Sequence, residues 1–157
     1  MTDKMNTEDL KELLCFHIYS LNRSFGRYYA ATFSETGLTY PKFVILMALD
    51  ANGPMSISAL STQAGVESNT LSPLLKKMAE FGAITRQRAE DDERRVEVGI
   101  TPMGRDILVR AKEVIAKGFL ELGVDPERMV DALRFLEDTR AKVDQADPPK
   151  LSFDGIG

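Results

Sequence analysis

Residues 68–78, SNTLSPLLKKM, and 91–101, DDERRVEVGIT, decide how this chain folds. The first stretch opens on small polar residues and predicts a helix from about Ser68 to Phe81, ended by Gly82. In the second, Val96, Val98 and Ile100 alternate with Glu97 and Gly99, the period-two pattern of a half-buried strand. Residues 84–88, ITRQR, read as a short partner strand, and Glu90-Asp91-Asp92-Glu93 as the charged turn of a hairpin. Immediately upstream, Ser56 is placed to cap a short helix running to Gln63, with Gly65 as the turn. The order is helix, turn, helix, hairpin: a winged helix-turn-helix. One local conflict stands out. Pro73 falls inside the second helix, so that helix is expected to kink or to start later than Ser68.

Working outward, Leu10, Leu14, Ile18, Leu21, Phe25 and Tyr28 recur at helical spacing and predict a first helix over Leu10 to Phe33. Thr39-Tyr40-Pro41 starts a second helix, and its body, Lys42 to Leu49, is almost wholly apolar and expected in the core. Asn52-Gly53-Pro54 breaks the chain. Thr101-Pro102 and Asp125-Pro126-Glu127 are two further cap-and-proline helix starts. The fold class is therefore mainly α with an α+β wing. The whole chain, 1–157, reads as one unit, with the winged helix-turn-helix at 38–101 and a loose tail at 147–157. The helices at 8–36 and 102–145 carry more apolar surface than so small a DNA-binding core covers. A second copy of the chain is the simplest cover, so a homodimer is expected, with those helices as the dimerisation elements.

A net charge of -4 argues at first against nucleic acid, which draws on Lys and Arg. Its distribution matters more. Residues 69–88 carry a net +3, and the stretch from Leu120 to the end carries -4. A local basic surface serves DNA on an acidic protein. No apolar run is long enough to span a membrane, and MTDKMNTEDL lacks a signal-peptide core, so a cytoplasmic protein is expected. One cysteine forms neither an internal disulfide nor a cysteine-rich metal site. His17, the single histidine, has no ligand cluster at metal spacing, and the methionines read as packing. Neither metal nor cofactor is expected, and no enzyme.

In a helix-turn-helix the N-terminal residues of the second helix meet base edges in the major groove. Here these are Ser68, Asn69, Thr70 and Ser72, with Asn69 suited to bidentate pairing with adenine. Lys76 and Lys77, further along, suit phosphates. Arg86, Arg88, Arg94 and Arg95 flank the hairpin tip, where arginine enters the narrow minor groove, and Asp92 is placed to hold Arg94. Both stretches are also compatible with an ordinary solvated helix and a solvated turn.

These two stretches resemble the MarR family of bacterial regulators. The wing pattern of that family, Asp-x-Arg, a strand, then Leu-Thr and Pro or Glu, is matched by Asp92, Arg94, Val96, Val98, Ile100, Thr101 and Pro102. Ile100 replaces the usual Leu. The resemblance covers about residues 10 to 143 and implies a symmetric dimer on double-stranded DNA with a pseudo-palindromic operator. The segment LCFHIYSLNRSFGRYY, with GLTYPKF after it, further resembles the organic-hydroperoxide-sensing, OhrR-type branch with one cysteine. That resemblance implies that Cys15 senses the oxidant, with tyrosines at Tyr29 and Tyr40 bonded to it and Tyr19 and Arg23 also matching.

On its own, Cys15 in LLCFHIY is as consistent with a buried, inert core residue. In roughly the second turn of its helix it gains little from the helix dipole. Tyr29 follows it by fourteen residues, about 21 Å along a straight helix, so contact with Cys15 requires a partner subunit. With no second cysteine, an oxidised Cys15 is expected to take a small cellular thiol as a mixed disulfide. Three alternatives stay open at this point: a MarR-type repressor relieved by a small aromatic ligand, with Cys15 in the core; a thiol peroxidase; and an interaction protein that does not bind DNA.

Overall fold

The computed structural model describes residues 13–88 and 96–148. Asp92, Arg94 and Arg95, Leu10 and the tail after Pro148 lie outside the described residues. The elements are α1 (Leu14–Thr32), α2 (Tyr40–Asn52), β1 (Met55–Ser56), α3 (Ile57–Ala64), α4 (Ser68–Glu80), β2 (Ile84–Arg88), β3 (Val96–Ile100), α5 (Pro102–Glu121) and α6 (Pro126–Gln145). The chain divides into two compact units, Met1–Ile115 and Ala116–Gly157.

Local chemistry sets most boundaries in the first unit. Thr39 caps α2 by accepting from the Lys42 amide, with Pro41 in the first turn. Ser56 Oγ accepts from the Ala59 amide at 3.2 Å and starts α3. Gly65 ends α3 in the left-handed region, φ +63°, where a side chain is strained. Thr101 Oγ1 accepts from the Gly104 amide at 3.0 Å and starts α5.

Three expectations need correction. The described helix α1 begins at Leu14, because Leu13 is extended (φ -83°, ψ 113°) and offers no capping side chain. Apolar periodicity marks a face; it does not mark where helical bonding begins. Cys15 therefore sits in the first turn, not the second. Helix α4 starts at Ser68 and runs through Pro73 to Glu80. Pro73 removes one amide, the donor that the Asn69 carbonyl would otherwise receive, and the helix continues past it. The wing also has a third strand. β1 pairs antiparallel with β3 (Met55 with Val98), giving the order β1-β3-β2. Two residues are too short to show a period.

The core of this unit is built from α2 (Ile45, Leu46, Leu49), α3 (Leu60), α4 (Leu71, Leu75), β3 (Val98) and α5 (Leu108), all fully buried. Burying one such side chain is worth about 1.5–3 kcal/mol. Helix α2 is core as expected, apart from the exposed Met47. The helix-turn-helix pair α3–α4 is thus held from behind by α2 and at its end by the sheet. Asp50 on α2 meets Arg105 Nη1 at 2.5 Å and Lys112 Nζ at 3.7 Å, tying α2 to α5.

In the second unit α6 is capped by Asp125, whose side chain accepts from the Glu127 amide. No residue of α6 is buried, and Leu133, Phe135 and Val143 are exposed. No helix among the described residues is long and apolar enough to cross a membrane.

Gly104 is the tightest joint in the fold. A Cβ there would lie 2.1 Å from the Ala83 carbonyl oxygen and 2.9 Å from Ile100 Cγ1. Backbone cannot yield as a flexible side chain does. Gly104→Ala should lower stability by about 2–3 kcal/mol, read by urea denaturation. A loss below 0.5 kcal/mol, on the same order-of-magnitude scale, would show that α5 shifts freely on the sheet.

Candidate nucleic-acid interface

Helix α4 buries Leu71, Leu75 and Met78 along one stripe. At about 100° per residue the opposite stripe is Asn69, Pro73, Lys76 and Glu80. Ser68, Asn69, Thr70, Ser72, Lys76 and Lys77 are all exposed, as are Arg86 and Arg88 on β2. The fold therefore presents these sequence-predicted side chains to solvent. Arg86 and Arg88 alternate along β2, opposite Val98 and Val96, and share a face of the strand.

The turn before α4 is held by a hydroxyl relay. Ser61 Oγ donates to the Val66 carbonyl at 2.6 Å, and Ser68 Oγ donates to Ser61 Oγ at 3.2 Å. Ser72 Oγ donates to the Ser68 carbonyl. Two of the predicted reading hydroxyls are thus already engaged. Asn69 Oδ1 accepts from the Thr70 amide at 2.8 Å. That bond fixes the side-chain rotamer and uses one of the two lone pairs on Oδ1, leaving the other lone pair and Nδ2 for a base. Lys76 lies 3.9 Å from Glu80, an exposed pair worth little.

The residues that the resemblance implies as an oxidant sensor fall into two groups. Tyr29 and Tyr40 stack with ring centroids 4.6 Å apart, and Tyr28 and Phe33 meet Tyr29 at 5.8 and 5.9 Å. Burial, and then the neighbouring Tyr40 and Tyr28, raise the Tyr29 hydroxyl above its ordinary value, so it stays a proton donor. Cys15 and Tyr19 lie one turn apart at the other end of α1, and both are exposed. Arg23 sits over the Tyr19 ring at 5.8 Å. Within one chain, Cys15 is not brought to Tyr29 and Tyr40, and it is not a core residue.

A cavity of about 460 Å³ lies in the first unit, and sequence reasoning, which allowed for a ligand pocket, named none of its lining residues as such. Phe33, Leu46, Met78 and Ile107 are among its apolar walls, and Lys42, Lys77 and Arg110 also line it. Lys77 thus faces this cavity rather than the centre of the outward stripe. Only folding brings α1, α2, α4 and α5 together, so no local motif announces it. Among the described residues no group of three or more His, Cys, Asp or Glu is placed to hold a metal.

A helix-turn-helix followed by a β-hairpin that pairs with a short strand before it defines a winged-helix DNA-binding protein. The MarR family model matches residues 38–96, from the loop before α2 into β3. The HTH-type transcriptional regulator SarZ of Staphylococcus saprophyticus is 31% identical over 137 residues, which is 87% of this chain and 92% of that protein. The transcriptional regulator BldR from Sulfolobus solfataricus superposes with a TM-score of 0.76 at 28% identity, over 87% of this chain and 99% of BldR. Overoxidized AbfR bound to DNA superposes with a TM-score of 0.69 at 25% identity, over 88% and 98% of the two chains. The chain belongs to the MarR family, and it is a DNA-binding transcriptional regulator.

Ser61 is the joint of the turn, since it both donates and accepts. Ser61→Ala should cost about 1 kcal/mol in urea denaturation, with Ser68→Ala costing less because its partner remains satisfied by Val66. Equal losses for the two variants would mean that the relay is not what holds the turn.

Proposed function

We propose that the protein is a homodimeric repressor, relieved when an organic hydroperoxide oxidises Cys15. The observation that carries this reading is the split of the sensor residues. An exposed thiol stands at one end of α1, and at the other the buried Tyr29 packs against the more exposed Tyr40. About 21 Å of helix separates Cys15 from Tyr29, so a second copy related by a two-fold axis is the means of bringing them together. The apolar residues around Cys15, namely Leu13, Leu14, Phe16, Ile18 and Leu21, are at least partly uncovered in the single chain, as are Leu133 and Leu136 on α6. Dimerisation through α1, α5 and α6 covers such surface and places two winged units on the half-sites of a pseudo-palindromic operator. AbfR, which shares the fold, has been seen on DNA in both a reduced and an overoxidized state. A cytoplasmic location follows from the same reading.

On this reading Ser68, Asn69, Thr70 and Ser72 face the bases, Lys76 faces a phosphate, and Lys77 lies at the edge between groove and cavity. Arg86, Arg88, Arg94 and Arg95 supply the minor-groove contact, with Asp92 holding the Arg94 guanidinium. The thiolate attacks the distal oxygen of the hydroperoxide. An S–O bond forms, the O–O bond breaks, and an alkoxide leaves and takes a proton. The sulfenic acid then condenses with a small thiol, releasing water and leaving a mixed disulfide. That adduct does not fit the space the thiol occupied, and the two reading helices lose their operator spacing.

The cavity favours a second reading, a repressor relieved by a small aromatic ligand. Its apolar walls suit a ring, and Lys42, Lys77 and Arg110 suit an anionic group.

In a promoter gel shift, reduced protein should bind, and cumene hydroperoxide with a low-molecular-weight thiol should release it. Cys15→Ser protein should stay bound under the same treatment, with one thiol adduct per chain by mass in the wild type only. Release of the Cys15→Ser protein by peroxide would sink the redox reading. Its release by an aromatic carboxylate instead would favour the cavity.

A further inference from the structure

Pro73 is the residue of α4 that the reading above leaves without a role. It is the sixth residue of the helix, past the first turn in which proline costs nothing. It is exposed, so it repays that cost with no core packing. An exposed proline in a helix interior breaks a local rule, and such breaks concentrate at functional positions. Its placement is specific. At about 100° per residue it lies roughly 140–160° from the buried Leu71, Leu75 and Met78, and within about 40° of Asn69. It is therefore near the middle of the outward stripe, about 6 Å beyond Asn69 along the axis.

We propose that Pro73 is a specificity-determining residue that reads a thymine methyl group in each operator half-site. This rests on the reading that α4 enters the major groove. The pyrrolidine ring offers an apolar, rigid surface with no donor. In the major groove the one apolar feature of a base pair is the C5-methyl of thymine. The neighbours on the stripe are polar or charged (Asn69, Lys76, Glu80), so the ring is the apolar contact there. An advance of 6 Å from Asn69 corresponds to about two base steps, which places that thymine within roughly two pairs of the base Asn69 meets.

The test begins with duplexes selected by the reduced, full-length protein from a library with a randomised core. Each thymine of the selected site is then replaced singly by deoxyuridine, which removes only the methyl. At one position per half-site, wild-type binding should fall about fourfold, the worth of one buried methyl-sized group. For Pro73→Ala the same replacement should have no effect, and its melting temperature should rise, since alanine restores the helical amide. Methyl losses that weaken wild type and Pro73→Ala alike, or no thymine sensitivity at all, overturn the proposal while leaving the DNA reading intact. Failure to select any preferred duplex overturns both.

Discussion

The close approach of α5 to the root of the wing is the constraint on which this structure turns. Thr101 donates its hydroxyl to the Gly82 carbonyl at 2.7 Å and its amide to the Ala83 carbonyl at 3.2 Å, while its Oγ1 receives the Gly104 amide. Three bonds on one residue join the end of α4, the start of β2 and the start of α5. Gly104 makes this possible because no side chain intervenes. The start of α5 is therefore tied to the C-terminal end of α4 by one backbone bond and by a hydroxyl held at both ends.

Much of this was legible because the determinants are local. Gly65 and Gly82, the caps at Thr39, Ser56 and Asp125, and the alternation of Val96, Val98 and Ile100 each announce a boundary or a face within a few residues. The reading helix was legible for the same reason, as a polar first turn over an apolar stripe. What failed had a different physical character. β1 is a two-residue strand whose existence depends on β3, some forty residues later. The start of α1 depends on backbone bonding at Leu13, which an apolar stripe does not report. The engagement of Asn69 Oδ1 by Thr70 is a rotamer choice, invisible to composition. The cavity needs four helices to converge.

The residues proposed to sense an oxidant show the same division. Tyr29 and Tyr40 were matched by resemblance alone, and the fold brings them together because α2 starts beside the last turns of α1. The separation from Cys15 is fixed by helix rise and was available from arithmetic. Exposure of Cys15 in the single chain was not, since LLCFHIY reads equally well as core. Whether a residue in an apolar helix is core depends on what lies opposite, and that is a property of the assembly.

Helix α4 presents two sets of side chains on different sides. Asn69, Pro73 and Lys76 face outward, while Lys77, Met78 and the adjoining Phe81 wall the cavity. The two sets are different residues of one thirteen-residue helix. The consequence is evolutionary. Substitutions on the outward stripe leave the chamber walls as they are, and substitutions in the chamber leave the stripe as it is. The two surfaces are free to diverge separately, and Lys77, beside Lys76 yet lining the cavity, is the position where a change reaches both.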